Sequence, residues 1–322
     1  MRKFVFFGGK GGVGKTTVSC AYALKCARDG RSTLVVSTDP AHSTSDVFDQ
    51  QFGDDPAPVE GEANLDAMEI DPDEEVEDHL METKRALGQQ VSQGMVNEID
   101  RQIEMAHQTP GAYEAALFDR FIEVMRESDE YDRVVFDTSP TGGTLRLLSL
   151  PELLEGWIDH LIHKRKQSIE LFERAAVGNR EPRRIMEGDP IIDRLQTRKE
   201  RFEFAGETLR GEAAFYLVVN PDELSIRETR RAVETLTDAE LDVRGLAVNK
   251  LTPEPEPHED GRGARFLRDR VATERERLES LRESFEQPVV AEIETRVSEV
   301  KGDLLTDVAD EIDIDVTAAP ST

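Results

Sequence analysis

The segment Gly9-Lys10-Gly11-Gly12-Val13-Gly14-Lys15-Thr16-Thr17 constrains this chain more than any other feature. It follows an apolar run, Phe4-Val5-Phe6-Phe7, and precedes sequence that reads as a helix from about Thr16 to Arg28. A strand, a loop matching G-x-x-x-x-G-K-[ST] and then a helix is the context in which such a loop cradles phosphate. The glycines let successive backbone N–H groups converge on phosphate oxygens, and the helix N-terminus adds a favourable dipole. In that arrangement Lys15 reaches the β- and γ-phosphates of a nucleotide and the Thr16 hydroxyl holds Mg²⁺. Gly9, Gly11, Gly12, Val13, Gly14 and Thr17 complete the expected nucleotide contacts.

The rest of the chain alternates strand and helix. Ser32–Ser37 reads as a buried strand ending at Thr38-Asp39-Pro40, and Leu65–Ile70 as another. Arg133–Phe136 is a third, running into Asp137-Thr138-Ser139-Pro140. Phe215–Val219, Leu246–Val248 and Pro288–Ile293 complete the set, with helices at about 225–238 and 265–285 between them. Helical patterning also fills 73–126, with a break at Thr109-Pro110-Gly111, and roughly 145–210. This pattern predicts a single α/β domain over 1–322 of the P-loop type: a mostly parallel central sheet flanked by helices, with ligands at the strands' C-terminal ends. Thr252–Gly263, rich in Pro and Glu, and the tail at about 316–322 read as non-structural. Leu267, Val271, Leu278, Leu281 and Phe285 fall on one face of the helix at 265–285.

Three charged residues extend the phosphate site. Lys10 lies too early in the loop to serve its own phosphates by the usual route, which suits a cation offered across a symmetric interface; the related arginine finger is worth about 10³–10⁵ in rate. Asp39 and Asp137 both follow apolar strands, so both carboxylates are expected near the phosphates. Asp39, in Asp39-Pro40-Ala41-His42-Ser43, is assigned to the attacking water, as a switch sensing the γ-phosphate. Asp137 is assigned to Mg²⁺, with Pro140-Thr141-Gly142-Gly143 as a second switch.

Composition narrows the partners. The 40 Lys and Arg against 67 Asp and Glu leave a net charge of −27, which opposes binding to nucleic-acid phosphates through a general basic surface. Few of the cations are lysine, a balance suited to a salt-rich cytoplasm where screening over about 3 Å at 1 M suppresses self-repulsion. No apolar run approaches the roughly 18–20 residues that span a bilayer, and the N-terminus resembles neither a signal peptide nor a lipidation motif, so a cytoplasmic protein is expected. Cys20 and Cys26 lie on one expected helix, on different faces, and read as small buried residues. His160 and His163 lack a nearby third ligand and read as helix surface.

In order, GGKGGVGKTT, STDPAHS, DTSPTGGTLRLLSLP, VVNPDELSIRETRR and AVNK resemble the arsenical pump-driving ATPases and the related ATPases for guided entry of tail-anchored membrane proteins. The resemblance covers nearly the whole chain. It implies a deviant Walker A fold in which two protomers face each other across two ATP molecules. On that pattern Lys10 is the intermonomer lysine, Asp39 the water-activating residue of switch I and Asp137 the metal residue of switch II. Asn249 falls where the family contacts adenine, and Asn220-Pro221-Asp222-Glu223 near the partner's nucleotide.

The resemblance implies a cytoplasmic, Mg²⁺-dependent ATP hydrolase that captures and delivers a client, above all a tail-anchored membrane protein, without itself inserting into the membrane. The alternatives are a subunit energising arsenite efflux through a membrane pump and a spatial switch of the partition type. A helical subdomain inserted at about 73–126 and 153–205 is the candidate client groove, with Met81, Met95, Met105, Met125, Met186, Ile158, Leu161, Ile162, Ile169 and Phe172. The same stripe could instead cover the sheet. Where family members commonly read DTAPTGH this chain has Ser139 and Gly143. The C-x-x-C pair that joins protomers through zinc in the targeting ATPases has no counterpart in Thr252–Gly263, and with only Cys20 and Cys26 a soft metalloid site is hard to build.

Overall fold

In the computed structural model, residues 2–38, 43–71, 112–138, 158–167 and 190–315 are described. The strands are β1 (Phe4–Gly9), β2 (Thr33–Ser37), β3 (Ala57–Pro58), β4 (Leu65–Glu69), β5 (Arg133–Asp137), β6 (Ala213–Val219), β7 (Val243–Leu251) and β8 (Val289–Glu294). The helices are α1 (Lys15–Arg28), α2 (Ser43–Phe48), α3 (Ala112–Glu127), α4 (158–167), α5 (Pro190–Gly211), α6 (Glu223–Asp238), α7 (Arg262–Ser284) and α8 (Asp303–Asp310). The strands form one 8-stranded sheet in the order β3-β4-β2-β5-β1-β6-β7-β8. Among the strands of the described residues, only the β3–β4 pairing is antiparallel.

Continuous apolar runs such as FVFF and TLVVS need cover on both faces, and both faces are covered. On one, Phe6, Val36 and Phe136 pack with Phe121 of α3, Ile158 and Ile162 of α4, Phe202 of α5, Leu236 of α6 and Leu281 of α7. On the other, Val5, Phe7, Val35 and Val135 pack with Val18, Tyr22 and Leu24 of α1, Val47 of α2 and Val308 of α8. The three central strands carry a ladder of rings in register: Phe6 stacks on Phe136 at 4.5 Å and on Phe215 at 4.9 Å between centroids. Phe121 of α3 meets Phe136 edge-on at 5.2 Å, so helix and sheet share one aromatic cluster.

The strands and helices expected from sequence are present where their residues are described; α2, β3 and α8 are additions, and in α8 Leu305, Val308 and Ala309 form one buried face. Two readings change. Leu267 is 36% exposed and departs from the buried face that Val271, Leu278 and Leu281 form. Residues 252–261 have no regular structure but are tied to α7: Thr252 donates its backbone N–H (2.7 Å) and hydroxyl (2.8 Å) to Glu274. Arg268 donates to the carbonyls of Glu256 and Glu259. A Pro/Glu-rich composition conceals this, because the loop is fixed by its fold back onto Arg268 and Glu274 of the helix that follows it. Of the two readings open for the helical stripe, Met125, Ile158 and Ile162 take the second, as core residues that cover the sheet. Met81, Met95, Met105, Met186, Ile169 and Phe172 lie outside the described residues, as does the tail 316–322.

Candidate functional site

Backbone geometry explains the glycines first. Gly9 ends β1 at φ 146°, and a Cβ there would lie 2.4 Å from the Val218 carbonyl oxygen of β6. Gly14 caps α1 at φ 92°, and a Cβ there would lie 2.3 Å from the Asn249 side-chain nitrogen. The loop can therefore approach its neighbours only as bare backbone. Helix α1 begins without a capping side chain and without an acidic residue in its first turn, leaving its N-terminal amides to a ligand of negative charge. Lys15 is buried, and its ammonium donates to the Lys10 carbonyl at 3.3 Å, spanning the loop.

At the strand ends, Glu69, Ser37, Asp137 and Phe7 occupy one row across β4, β2, β5 and β1. Asp137 is 1% exposed and accepts a hydrogen bond from the Thr16 hydroxyl at 2.5 Å. Its backbone carbonyl receives Thr38 N–H at 3.2 Å, while the Thr138 hydroxyl donates to the Phe7 carbonyl at 2.9 Å. A hydroxyl and a carboxylate held together beside an anion-binding loop form a hard oxygen donor set, the kind that suits Mg²⁺. Thr16 and Asp137 fit that ion, which when bound neutralises charge building on the phosphates.

Lys10 takes a different course from Lys15. Its ammonium is half-buried and lies 4.0 Å from a carboxylate oxygen of Glu228, on α6. Asn249, buried at the end of β7, donates to the Val13 carbonyl at 2.8 Å and accepts Lys250 N–H at 2.8 Å. Lys250 adopts φ 62° and its ammonium donates to the Gly12 carbonyl at 2.5 Å. Sequence singled out Asn249 for adenine; the geometry shows it buttressing the loop. Lys250, Glu228 and Glu69 carry no motif of their own and were not anticipated, although two of them sit inside the quoted motifs. Asp39, Ser139 and Pro140–Gly143 lie outside the described residues.

Comparison with known proteins decides among enzymes that use such a loop. The model of the family described as "Anion-transporting ATPase" matches residues 2–313. The chain belongs to that family. It is 32% identical over 286 residues to an Aquifex aeolicus protein named as an arsenical pump-driving ATPase, covering 88% of this chain and 90% of that one. It is 31% identical over 304 residues to a Pyrenophora tritici-repentis protein named ATPase get3, covering 93% and 87%. A Halobacterium salinarum protein, also named for arsenical pump driving, is 33% identical over 326 residues; the match takes in 98% of this chain and 46% of that relative.

This anion-transporting ATPase family member thus binds ATP and hydrolyses it. Its two cysteines, Cys20 and Cys26, are both buried in α1. Burial, reinforced by the Asp137 carboxylate, pushes the Cys20 thiol well up, and burial likewise raises Cys26. Neither favours the thiolate that soft metals require. His160 and His163 are exposed on α4, and the described residues contain no cluster of His, Cys, Asp and Glu able to hold a metal. No helix among the described residues is long and apolar enough to cross a membrane.

Proposed function

We propose that this ATPase works as a Mg²⁺-dependent, nucleotide-switched homodimer in the cytoplasm that captures and delivers a hydrophobic client, a tail-anchored membrane protein. Asp39 orients the attacking water, Thr16 and Asp137 hold the metal, Lys15 serves the phosphates of its own loop and Lys10 those of the facing subunit. Asn249 meets the adenine from the loop wall it braces.

The observation that carries this reading is the division of labour between two lysines. Lys15 folds over its own loop onto the Lys10 carbonyl, whereas the Lys10 ammonium lies half-buried beside Glu228 on α6. A cation so placed is available to a second copy, and twofold symmetry makes the donation mutual.

Complementation tests it. Lys10→Ala and Asp39→Asn should each be inactive, yet an equal mixture of the two should recover about a quarter of wild-type turnover, because each mixed dimer holds one complete site. Full turnover in either variant alone, or no recovery on mixing, rejects the arrangement. For the client, the protein isolated from its own cytosol with nucleotide trapped should carry a hydrophobic tail. Burial of Cys20 and Cys26, the chain's only thiols, disfavours the arsenite-pump reading. The acidic excess fits a salt-rich interior, and folding unchanged on dilution into low salt would remove that part.

A further inference from the structure

Glu69 is a buried carboxylate outside the phosphate loop. It ends β4 and is 5% exposed. One oxygen accepts the backbone N–H groups of Thr44 (2.9 Å) and Ser45 (2.8 Å), and the other accepts the Ser45 hydroxyl (2.7 Å). The Ser45 hydroxyl oxygen in turn accepts Phe52 N–H at 3.1 Å. Burying a carboxylate is costly unless it is fully hydrogen-bonded, and an apolar residue would fill a strand end without that cost. These bonds all converge on the start of α2.

The register shows what lies there. Glu69 and Asp137 flank Ser37, the last residue of β2, in a single row. Beyond Ser37, Thr38 is held to the Asp137 carbonyl through its N–H (3.2 Å) and its hydroxyl (3.3 Å). Residues 39–42 follow in sequence, and the chain is then held again at Thr44 and Ser45 by Glu69. The segment carrying Asp39 is thus anchored at one end by the residue assigned to the metal and at the other by Glu69.

We propose that Glu69 is a positioning residue for ATP hydrolysis, acting through Thr44 and Ser45 to fix the downstream end of the segment that carries Asp39. The inference rests on the assignment of Asp39 to the attacking water. Misplacing a reacting group by about 1 Å costs roughly 100-fold in rate without weakening ground-state binding.

The test compares full-chain Glu69→Ala, Glu69→Gln and Ser45→Ala by turnover with Mg²⁺, by ATP binding, and by trapping with ADP plus aluminium fluoride or beryllium fluoride. Glu69→Ala should lower kcat about 10–100-fold with the Kd for ATP within about twofold, and should impair the aluminium fluoride complex far more than the beryllium fluoride complex. Glu69→Gln keeps an acceptor for both amides and should recover most of the rate. Ser45→Ala leaves the strand untouched and should cost about 3–10-fold in kcat alone. Unchanged kcat in Glu69→Ala or Ser45→Ala, or equal losses in kcat and ATP affinity, overturns the proposal. Should Glu69→Ala not fold, Ser45→Ala carries the decision. Asp39→Asn measured alongside separates the two ideas: full turnover there removes the role of Asp39, whereas an inactive Asp39→Asn beside a normal Glu69→Ala removes only that of Glu69.

Discussion

The Thr16 hydroxyl and the Asp137 carboxylate, 121 residues apart in sequence, meet at 2.5 Å beneath the phosphate loop. The contact forms because Phe7 of β1 and Asp137 of β5 are register partners, so the loop leaving one strand and the acidic end of the other share one sheet edge. Asp137→Asn and Thr16→Ala should each lower turnover about 100-fold or more by removing electrostatic support for the phosphates. Both should retain measurable ATP binding and need far more Mg²⁺ for residual turnover. Titration of ATPase rate against Mg²⁺ checks this, and an unchanged Mg²⁺ requirement would contradict the metal assignment.

Gly14→Ala should be more damaging than a methyl group suggests. Its φ of 92° costs an L-residue about 1–2 kcal/mol, and the new Cβ would strike the Asn249 amide that braces Val13. Loss of ATP binding together with a lower Tm is expected. Asn249→Ala in the same chain should relieve the collision but not the backbone strain, so Tm should recover only in part. Calorimetric binding and thermal unfolding of the single and double variants measure both.

Phe136 should dominate the stability of the central strands. It stacks on Phe6 and meets Phe121 edge-on, fully buried. Phe136→Ala should lose about 3–5 kcal/mol in urea unfolding. Phe266→Ala, at a residue 62% exposed, should stay within about 0.5 kcal/mol.

How much of this was legible in the chain differs by element. The loop from Gly9 to Thr16 was readable because phosphate binding demands glycines and a lysine at fixed spacing, whatever the surrounding fold. Asp137 stands out in sequence because it ends an apolar strand in a chain that also carries a phosphate loop, and the structure brings it to the Thr16 hydroxyl. Glu69 was not: its partners, Thr44 and Ser45, lie on another element, and only strand register brings them together. The aromatic ladder was hidden for the same reason, since Phe6, Phe136 and Phe215 are unremarkable singly. Loop position sets Lys10 apart from Lys15 in sequence, but the closeness of Lys10 to Glu228 needed α6 packed in place.

Acid should loosen the segment after β7. Burial pushes the Glu274 carboxyl up, but the Thr252 backbone N–H, the Arg270 guanidinium and the Thr252 hydroxyl outweigh it and hold the group below its ordinary value near 4.5. Because the folded value is the lower one, this anchor contributes in full above the unfolded value and is lost as pH falls through the folded value. The Tm gap between wild type and Glu274→Gln should therefore be clear at neutral pH and close in strong acid. A gap independent of pH would show that the charge of Glu274 does not matter.

The thiols offer the sharpest separation of client classes. Cys20 and Cys26 are fully buried in α1, and burial keeps both protonated. A thiol-titrating disulfide reagent should therefore find neither cysteine in the native protein and both after denaturation, and arsenite should leave ATP turnover unchanged. The inward placement follows from packing, since Cys20 and Cys26 share their core with Val18, Tyr22 and Val135 against the sheet. Reaching them would require α1 to move, and α1 carries Lys15 and Thr16 of the phosphate loop. Were arsenite to reach them it would therefore inhibit the enzyme rather than stimulate it. Stimulation by arsenite that disappears in a Cys20→Ser, Cys26→Ser double variant would instead favour a role in driving a metalloid pump.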